Sequence, residues 1–344
     1  MTSTDLFVNA FTRLAMDGVL LGEMQVANPR LSYAVDDVAD AVPEIDIRVS
    51  VTRDQSLARE IFRSPMTGYF EKGGTFYYRN CNIANAVSTP QVFYKGRLPN
   101  SFVSMQIESF DPIRIMIRPT RSFIYESRSR LTRISSIDTA VNNILLACSV
   151  HRGYLPFHSA AVEVSIKSTR HSLLFMGLPN TGKTSTSVAL RKLLGGDYLA
   201  EDICFVQPES LAVFGGPFTL DETKIQNYDE LRAVKFRGAP LGAIVMLQRT
   251  LEPNIANIIA PGDPLVEDFL IDMNRYEFEW NHDSFVRHLM LGGASQGFTI
   301  AAITKSYLDG LRQVAQRVPV IRLAGFDPTP WAHMLSKKLT ELSP

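Results

Sequence analysis

The stretch GLPNTGKT, residues 177–184, decides how the second half of this 344-residue chain folds. The apolar run LLFM precedes it at 173–176, and apolar residues with helical spacing, Val188, Leu190, Leu193 and Leu194, follow it. A buried strand, a glycine-rich turn and then a helix form the setting of a phosphate-binding loop. The stretch therefore predicts a site for a nucleoside triphosphate.

The residue types of this loop explain the prediction. Gly177 and Gly182 allow successive backbone N–H groups to face one concavity, towards which the positive end of the following helix also points. Lys183 supplies a mobile charge for the outer phosphates, and Thr184 a hydroxyl for Mg²⁺. The predicted nucleotide contacts are Gly177, Leu178, Pro179, Asn180, Thr181, Gly182, Lys183, Thr184 and Ser185.

Composition describes an ordinary globular chain, 45% hydrophobic and 20% charged, long enough for two domains. The formal net charge is zero, so no bulk attraction to nucleic acid or to an anionic membrane is expected. Cys81, Cys148 and Cys204 are too few and too far apart for a disulfide framework or a CxxC metal site. Neither a basic, apolar leader nor an apolar run of about 18 residues is present, so we expect a cytoplasmic protein that does not span a membrane.

Periodicity divides the chain into two predicted domains. Alternation at Ile45, Ile47, Val49 and Val51, and at 75–79, 103–107 and 113–117, predicts a β-rich domain over residues 1–135, with a possible role in substrate recognition. Helical spacing begins at Ile137, and an α/β nucleotide-binding domain is predicted over 136–344. In this second domain we expect strands at 160–166, in the 170s, and at 198–206, 240–247 and 319–323, a helix at 184–194 ended by Gly195 and Gly196, and a last helix begun by Thr329 and Pro330.

Two adjacent acids follow the loop at short range. Glu201 and Asp202 lie 18 and 19 residues after Lys183, in the segment YLAEDICFV. One short helix and a tight return would bring this strand beside the loop, where a carboxylate can hold the divalent ion that a triphosphate requires. Adjacent residues of a regular strand point to opposite faces, so both acids can serve one site only at a strand end.

The order of these motifs carries a family resemblance. The segment FHSAAV with His158, the loop, the short helix and LAED with Glu201 and Asp202 resemble the catalytic domain of HPr kinase/phosphorylase, which is allied to phosphoenolpyruvate carboxykinase. The resemblance covers about residues 150–250 well, the remaining C-terminal part loosely and the N-terminal 140 residues hardly at all. It implies a P-loop nucleotide-binding domain in which Lys183 contacts phosphate, Thr184 and Asp202 bind metal, Glu201 is the general base, and His158 orients that base.

The sequence departs from the family pattern in two ways. The family has two aspartates where this chain has Glu201 and Asp202, and the extra methylene leaves the division between base and metal ligand open, so both are candidate metal ligands. The glycine-rich phosphorylase signature is missing downstream, so the reverse, phosphorolytic reaction is not expected.

Several cations are further candidates. Arg237, and less strongly Lys224, could stabilise the charge of a transferred phosphoryl group, or could be solvated surface charges. Arg287 and His288 fall on an expected exposed helix face. A run of arginines could form a solvated face or bind an acidic or phosphorylated peptide, namely Arg114, Arg118, Arg121, Arg128, Arg130 and Arg133.

These features together predict an ATP- and Mg²⁺-dependent kinase that phosphorylates a serine-type hydroxyl of a peptide, protein or small metabolite. One alternative is a nucleotide-binding switch or ATPase that engages a partner without phosphorylating it, and another is a carboxykinase. No NKxD-type base-reading motif is evident, so ATP is the default nucleotide and GTP stays open. The resemblance also implies a possible homo-oligomer.

Overall fold

The structure is a computed structural model that describes residues 10–16, 19–26, 31–32, 45–49, 69–72, 75–80, 91–95, 98, 100–110, 113–123, 143, 146–215, 218–219, 237–275 and 297–342. It is a mixed α/β protein with two compact units. The first unit comprises Met1–Leu31, Val38–Cys148 and Glu279–Ile303, and the second comprises Ser32–Asp37, Ser149–Phe278 and Thr304–Pro344. The predicted domain boundary between residues 135 and 136 lies outside the described residues.

The first unit contains an eight-stranded sheet in the order β1-β2-β4-β9-β8-β7-β6-β5. The predicted strands at 75–79, 103–107 and 113–117 are confirmed, as is the one that begins at Ile45, although Val51 lies outside the described residues. Val, Ile, Phe and Tyr, which have high β-strand propensity, are frequent in these strands. Their bounds are β1 Ala10–Met16, β2 Val19–Val26, β4 Ile45–Val49, β5 Tyr69–Lys72, β6 Thr75–Asn80, β7 Gln91–Lys95, β8 Phe102–Phe110 and β9 Ile113–Pro119, with β3 at Leu31–Ser32.

The second unit is built on a nine-stranded mixed sheet. Three of its strands are parallel to one another, because β17 pairs in parallel with both β12 and β19. Its principal path is β10-β14-β15-β17-β12-β11-β13, while β19 pairs with β17 and β18. The bounds are β10 Leu155–His158, β11 Ala160–Ile166, β12 Thr169–Met176, β13 Gly196–Ala200, β14 Ile203–Val206, β15 Ala212–Gly215, β17 Arg237–Arg249, β18 Ile255–Ile259 and β19 Val320–Gly325. A further strand, β16 at Phe218–Thr219, lies outside this sheet and pairs with β3.

Helices complete this unit: α1 Lys183–Leu194, α2 Pro264–Arg275, α3 Ile300–Arg317, which belongs to it from Thr304, and α4 Trp331–Leu342. One core cluster joins the sheet to α1 and α4, through Val188 and Leu190 on α1 and Trp331, Leu335 and Leu339 on α4. Burial of these apolar side chains holds both helices on the sheet. None of the helices in the described ranges is long and apolar enough to cross a membrane.

Most predicted elements of this unit are confirmed, but the prediction of one strand is wrong. The strand expected at 198–206 is two strands, because β13 ends at Ala200 and β14 begins at Ile203. The physical reason is a change of partner, since β13 pairs with β11 whereas β14 pairs with β10 and β15. Glu201 and Asp202 are the two residues at this break.

Candidate functional site

The loop 177–182 leaves the carboxyl end of β12 and leads directly into α1. A Cβ atom at Gly177 would lie 2.6 Å from the Leu247 carbonyl oxygen and 2.8 Å from Thr181 Oγ1, so only glycine fits there. Inside the loop, Thr181 Oγ1 donates a hydrogen bond to the Leu178 carbonyl oxygen at 2.8 Å. The loop is therefore held against the end of β17 by a contact that no larger residue permits.

The start of α1 has no cap from a side chain. Its N-cap residue is Gly182, at φ 99°, with no side-chain cap hydrogen bond and no acid in the first turn. The first backbone N–H groups of a helix have no partner within the helix, and the helix dipole is positive at that end. This terminus can accordingly receive an anion such as phosphate.

Lys183 folds back over the loop that precedes it. Its ammonium group donates a hydrogen bond to the Gly177 carbonyl oxygen at 2.8 Å, and a longer one to the Leu178 carbonyl oxygen at 3.4 Å. The side chain is half-buried, so the charge lies at the loop rather than out in solvent. A polyphosphate at this position would meet backbone donors and an ammonium group together.

Thr184 and Glu201 are in direct contact. Thr184 Oγ1 donates a hydrogen bond to Glu201 Oε1 at 3.1 Å, and Glu201 is only 9% exposed. The contact forms because β13 returns beside β11, with Ala200 paired to Ala161, and so brings its carboxyl end to the first turn of α1. The short spacing between loop and acid is thus confirmed as spatial proximity.

Asp202 points to a different partner. Its Oδ1 lies 3.7 Å from Nδ1 of His158, and the two side chains are 33% and 17% exposed. The pair forms at a second interruption, because β10 ends at His158 and β11 begins at Ala160, and the N–H of the intervening Ser159 donates to the Asp202 carbonyl oxygen at 2.9 Å. Both acids therefore lie at strand ends, which is the position that the sequence analysis requires if they are to share one site.

Asn274, on α2, fixes the backbone at His158. Its Oδ1 accepts a hydrogen bond from the His158 N–H at 3.2 Å, and its Nδ2 donates to the Leu270 carbonyl oxygen at 2.7 Å. The residue is fully buried, at 0% exposure. Sequence analysis missed Asn274, because α2 was not predicted and an isolated asparagine carries no motif.

A buried polar cluster lies next to this pair in the fold. Ser159 Oγ and Cys204 Sγ are 3.0 Å apart, and Tyr307 donates a hydrogen bond to the Pro156 carbonyl oxygen at 2.9 Å. Burial raises the pKa of the Cys204 thiol to about 12, although the Ser159 hydrogen bond acts in the opposite direction. Burial likewise raises the pKa of Tyr307 well above its ordinary value, so both groups are neutral at physiological pH.

Other candidate residues are not brought to the loop by any described contact. Arg237 begins β17, where its backbone pairs with Phe214, but its side chain lies outside the described residues. Lys224, Arg287 and His288 also lie outside them. Of the arginine run, Arg114 and Arg121 are exposed, Arg118 lies 3.7 Å from Glu108, and the other three fall outside the described residues.

The oxygen donors at the loop fit a magnesium ion better than a soft metal. A hydroxyl and a carboxylate already touch at Thr184 and Glu201, with Asp202 next in the chain. In the part of the chain that the structure describes, no group of three or more His, Cys, Asp or Glu side chains could hold a metal. Magnesium at nucleotide sites commonly takes one or two protein oxygens and completes its shell with water and phosphate.

Comparison with known proteins adds no family. No family model matches the chain, and no curated protein matches it either.

Proposed function

We propose that the chain is an ATP-dependent, Mg²⁺-requiring kinase that transfers the γ-phosphoryl group to a serine-type hydroxyl of a peptide, protein or small metabolite, with a nucleotide-binding domain of the HPr kinase type. The observation that carries this proposal is the hydrogen bond between Thr184 and Glu201 at the uncapped start of α1. A hydroxyl from the end of the loop and a carboxylate from a following strand are the protein groups that hold Mg²⁺ in P-loop nucleotide sites.

Nucleotide binding would use the loop in a simple way. Backbone N–H groups at the start of α1 would receive the phosphates, and Lys183, now bound to the Gly177 and Leu178 carbonyl oxygens, would turn to the outer phosphates. Exchange of carbonyl partners for phosphate oxygens favours the charged ligand, because hydrogen bonds between ionised groups are stronger than those to neutral ones.

Thr184 and Glu201 would hold the metal ion. When bound, Mg²⁺ would neutralise phosphate charge and so favour in-line transfer of the γ-phosphoryl group. Glu201 is well suited to this position because it is 9% exposed and already accepts a hydrogen bond from the Thr184 hydroxyl. A metal ion held by both oxygens would take the place of this hydrogen bond, and the Thr184 hydroxyl would keep its proton.

Asp202 is the better candidate for the general base. Its neighbour His158 lies at ion-pair distance, 3.7 Å, and is fixed by Asn274, whereas Glu201 is engaged by Thr184. This division reverses the roles that the family resemblance implies for the two acids. The acceptor oxygen would bond to the γ-phosphorus, the bond to the ADP oxygen would break, and the hydroxyl proton would pass to the Asp202 carboxylate.

A phosphoryl-transfer assay with isosteric variants tests the proposal. The protein is incubated with γ-labelled ATP, Mg²⁺ and an extract from its own source, and labelled acceptors are identified. We expect Asp202→Asn to lower transfer by about 10²- to 10⁴-fold with ATP affinity retained, and Glu201→Gln to weaken Mg²⁺-dependent ATP binding as well. The matched controls are Asp268→Asn and Glu209→Gln, two exposed acids of the same unit.

The assay separates the kinase from a nucleotide switch and tests the assignment of the base. If ATP is hydrolysed but no acceptor gains label, the chain is a nucleotide switch and the kinase proposal fails. If Asp202→Asn and the wild type transfer label equally, the assignment of the base fails. Absence of ATP binding to the wild-type protein would remove the whole proposal.

A further inference from the structure

Phe326 is an exposed aromatic side chain that follows the carboxyl end of β19, in the sheet that carries the phosphate loop. Within the described ranges it is the one aromatic among the exposed large hydrophobic residues, and it is 61% exposed. It directly follows Gly325, the last residue of β19, and β19 is parallel to β17, as β17 is to β12. The carboxyl ends of β12 and β19 therefore lie at the same end of the sheet.

The backbone up to and including Phe326 is held by two hydrogen bonds and by a close approach to Asn254. Arg249 Nη1 donates to the Phe326 carbonyl oxygen at 3.3 Å, and the Thr250 N–H donates to the Gly325 carbonyl oxygen at 3.1 Å. At Gly325 a Cβ atom would lie 1.8 Å from Asn254 Oδ1, so the chain passes here with no room for a side chain. Such contacts fix the direction in which the aromatic ring leaves the backbone.

The chain on the other side of Phe326 is equally constrained. Asp327 Oδ1 accepts a hydrogen bond from the Thr329 N–H at 2.9 Å, and the Trp331 N–H donates to the Pro328 carbonyl oxygen at 3.1 Å. Prolines at 328 and 330 remove further backbone freedom. Because the backbone of this segment is already ordered, a ligand that covers the exposed ring does not have to order the backbone, and the entropic cost of binding is lower.

This segment lies beside the phosphate loop. A Cβ atom built at Gly182, the N-cap of α1, would be 3.8 Å from the Cβ of Pro328, two residues after Phe326. A nucleotide whose phosphates bind at this N-terminus extends its ribose and base away from it over the neighbouring surface. The short separation brings the 326–330 segment within reach of that base.

We propose that Phe326 stacks on the base of the bound nucleotide, an inference that rests on the proposed function of the loop. Stacking needs only an aromatic face, which adenine and guanine share, so Phe326 contributes affinity for a nucleoside without selecting between the two. This role fits a loop whose own groups contact phosphate and read no base. It assigns the binding energy of the nucleoside and that of the phosphates to different segments.

Calorimetry with two ligands separates these contributions. Wild-type protein, Phe326→Ala and Phe326→Trp are titrated, in Mg²⁺, with ATP and with inorganic tripolyphosphate, which has the phosphates but no base. We expect Phe326→Ala to weaken ATP binding about 5- to 100-fold and to leave tripolyphosphate binding unchanged, and Phe326→Trp to retain ATP affinity. Leu251→Ala, a fully exposed residue just after β17, is the matched control and should change neither ligand.

The outcomes distinguish this inference from the proposed function. Equal ATP affinity in wild type and Phe326→Ala overturns the stacking role while leaving the phosphate loop intact. Equal losses for ATP and tripolyphosphate overturn it also, because the variant would then disturb the loop itself. Binding of neither ligand by the wild type contradicts the proposed function and, with it, this inference.

Discussion

The two ends of β12 differ in what surrounds them. At the carboxyl end, a glycine-rich loop and an uncapped helix meet Glu201 through Thr184. At the amino end, a hairpin turn at Lys167 and Ser168 borders a cavity of about 260 Å³. This cavity is lined by Ile166, Lys167, Thr169, His171, Leu173, Gly242, Leu339 and Leu342.

The comparison teaches that a cavity and a set of groups suited to binding an anion can lie at opposite ends of one strand. The amino-end cavity contains a lysine and a histidine but has no adjacent acid pair among its lining residues. At the carboxyl end, the uncapped start of α1, Lys183 and the Thr184–Glu201 pair come together, and Asp202 is the next residue in the chain. Ligands of parallel α/β sheets commonly bind at this end of the strands.

Two crowded glycines, one at each end, provide the largest test of this difference. At Gly177 an added Cβ would meet a backbone oxygen at 2.6 Å, whereas at Gly242 it would meet the His171 side chain at 2.9 Å. We expect Gly177→Ala to weaken ATP binding by about 10- to 100-fold, since overpacking costs about 1–3 kcal/mol and displaces the loop. Gly242→Ala should lower the thermal midpoint and leave ATP affinity within about twofold in calorimetry. Similar losses of ATP affinity in both variants would refute the assignment of binding to one end.

A second test concerns the buried thiol near the carboxyl-end acids. The pKa of Cys204 is raised from 9.0 to about 12, so folding favours the protonated thiol. This contribution to the free energy of unfolding is fully present below pH 9 and is lost as the pH rises towards 12. By pH 10.5 the loss is about 2 kcal/mol. In urea titrations at pH 8 and 10.5, we expect the wild type to lose about 2 kcal/mol more than Cys204→Ala. Parallel losses in the two proteins would show that the thiol is not the titrating group.

The smallest expected effect is at the hairpin turn of the amino end. Lys167 and Ser168 both have positive φ, 47° and 71°, as the central residues of a type I′ turn do. We expect Ser168→Gly to stabilise the fold by about 0.5–1 kcal/mol, because glycine adopts this conformation without steric cost. Ser165→Gly, within β11, should instead destabilise it by a similar amount. Neither variant should alter ATP binding, and a thermal scan with calorimetry measures both properties.

Sequence patterns predicted the local elements well and the long-range arrangement less well. The strand Ala160–Ile166 has the predicted bounds, and α1 begins one residue before the predicted position, because the local alternation and the glycines are strong signals. The turn at Lys167 and Ser168 was not anticipated, since neither residue is typical of positive φ.

The site shows the same division. Proximity of Glu201 to Thr184 followed from a short spacing, whereas the break at Glu201 and Asp202 depends on β10 and β11, which precede it by about forty residues. Asn274 is more distant still, 116 residues from its partner His158. Such contacts are fixed by tertiary packing, which local periodicity does not predict.

The break at Glu201 and Asp202 also fixes two carboxylates to separate parts of one sheet. Glu201 follows the strand paired with β11, and Asp202 precedes the strand paired with β10. A shear between these strands would change the spacing of the two groups without breaking either strand pair. The single peptide that links the two residues limits how far their carboxylates can separate, while the relative position of the two strands sets the angle between them.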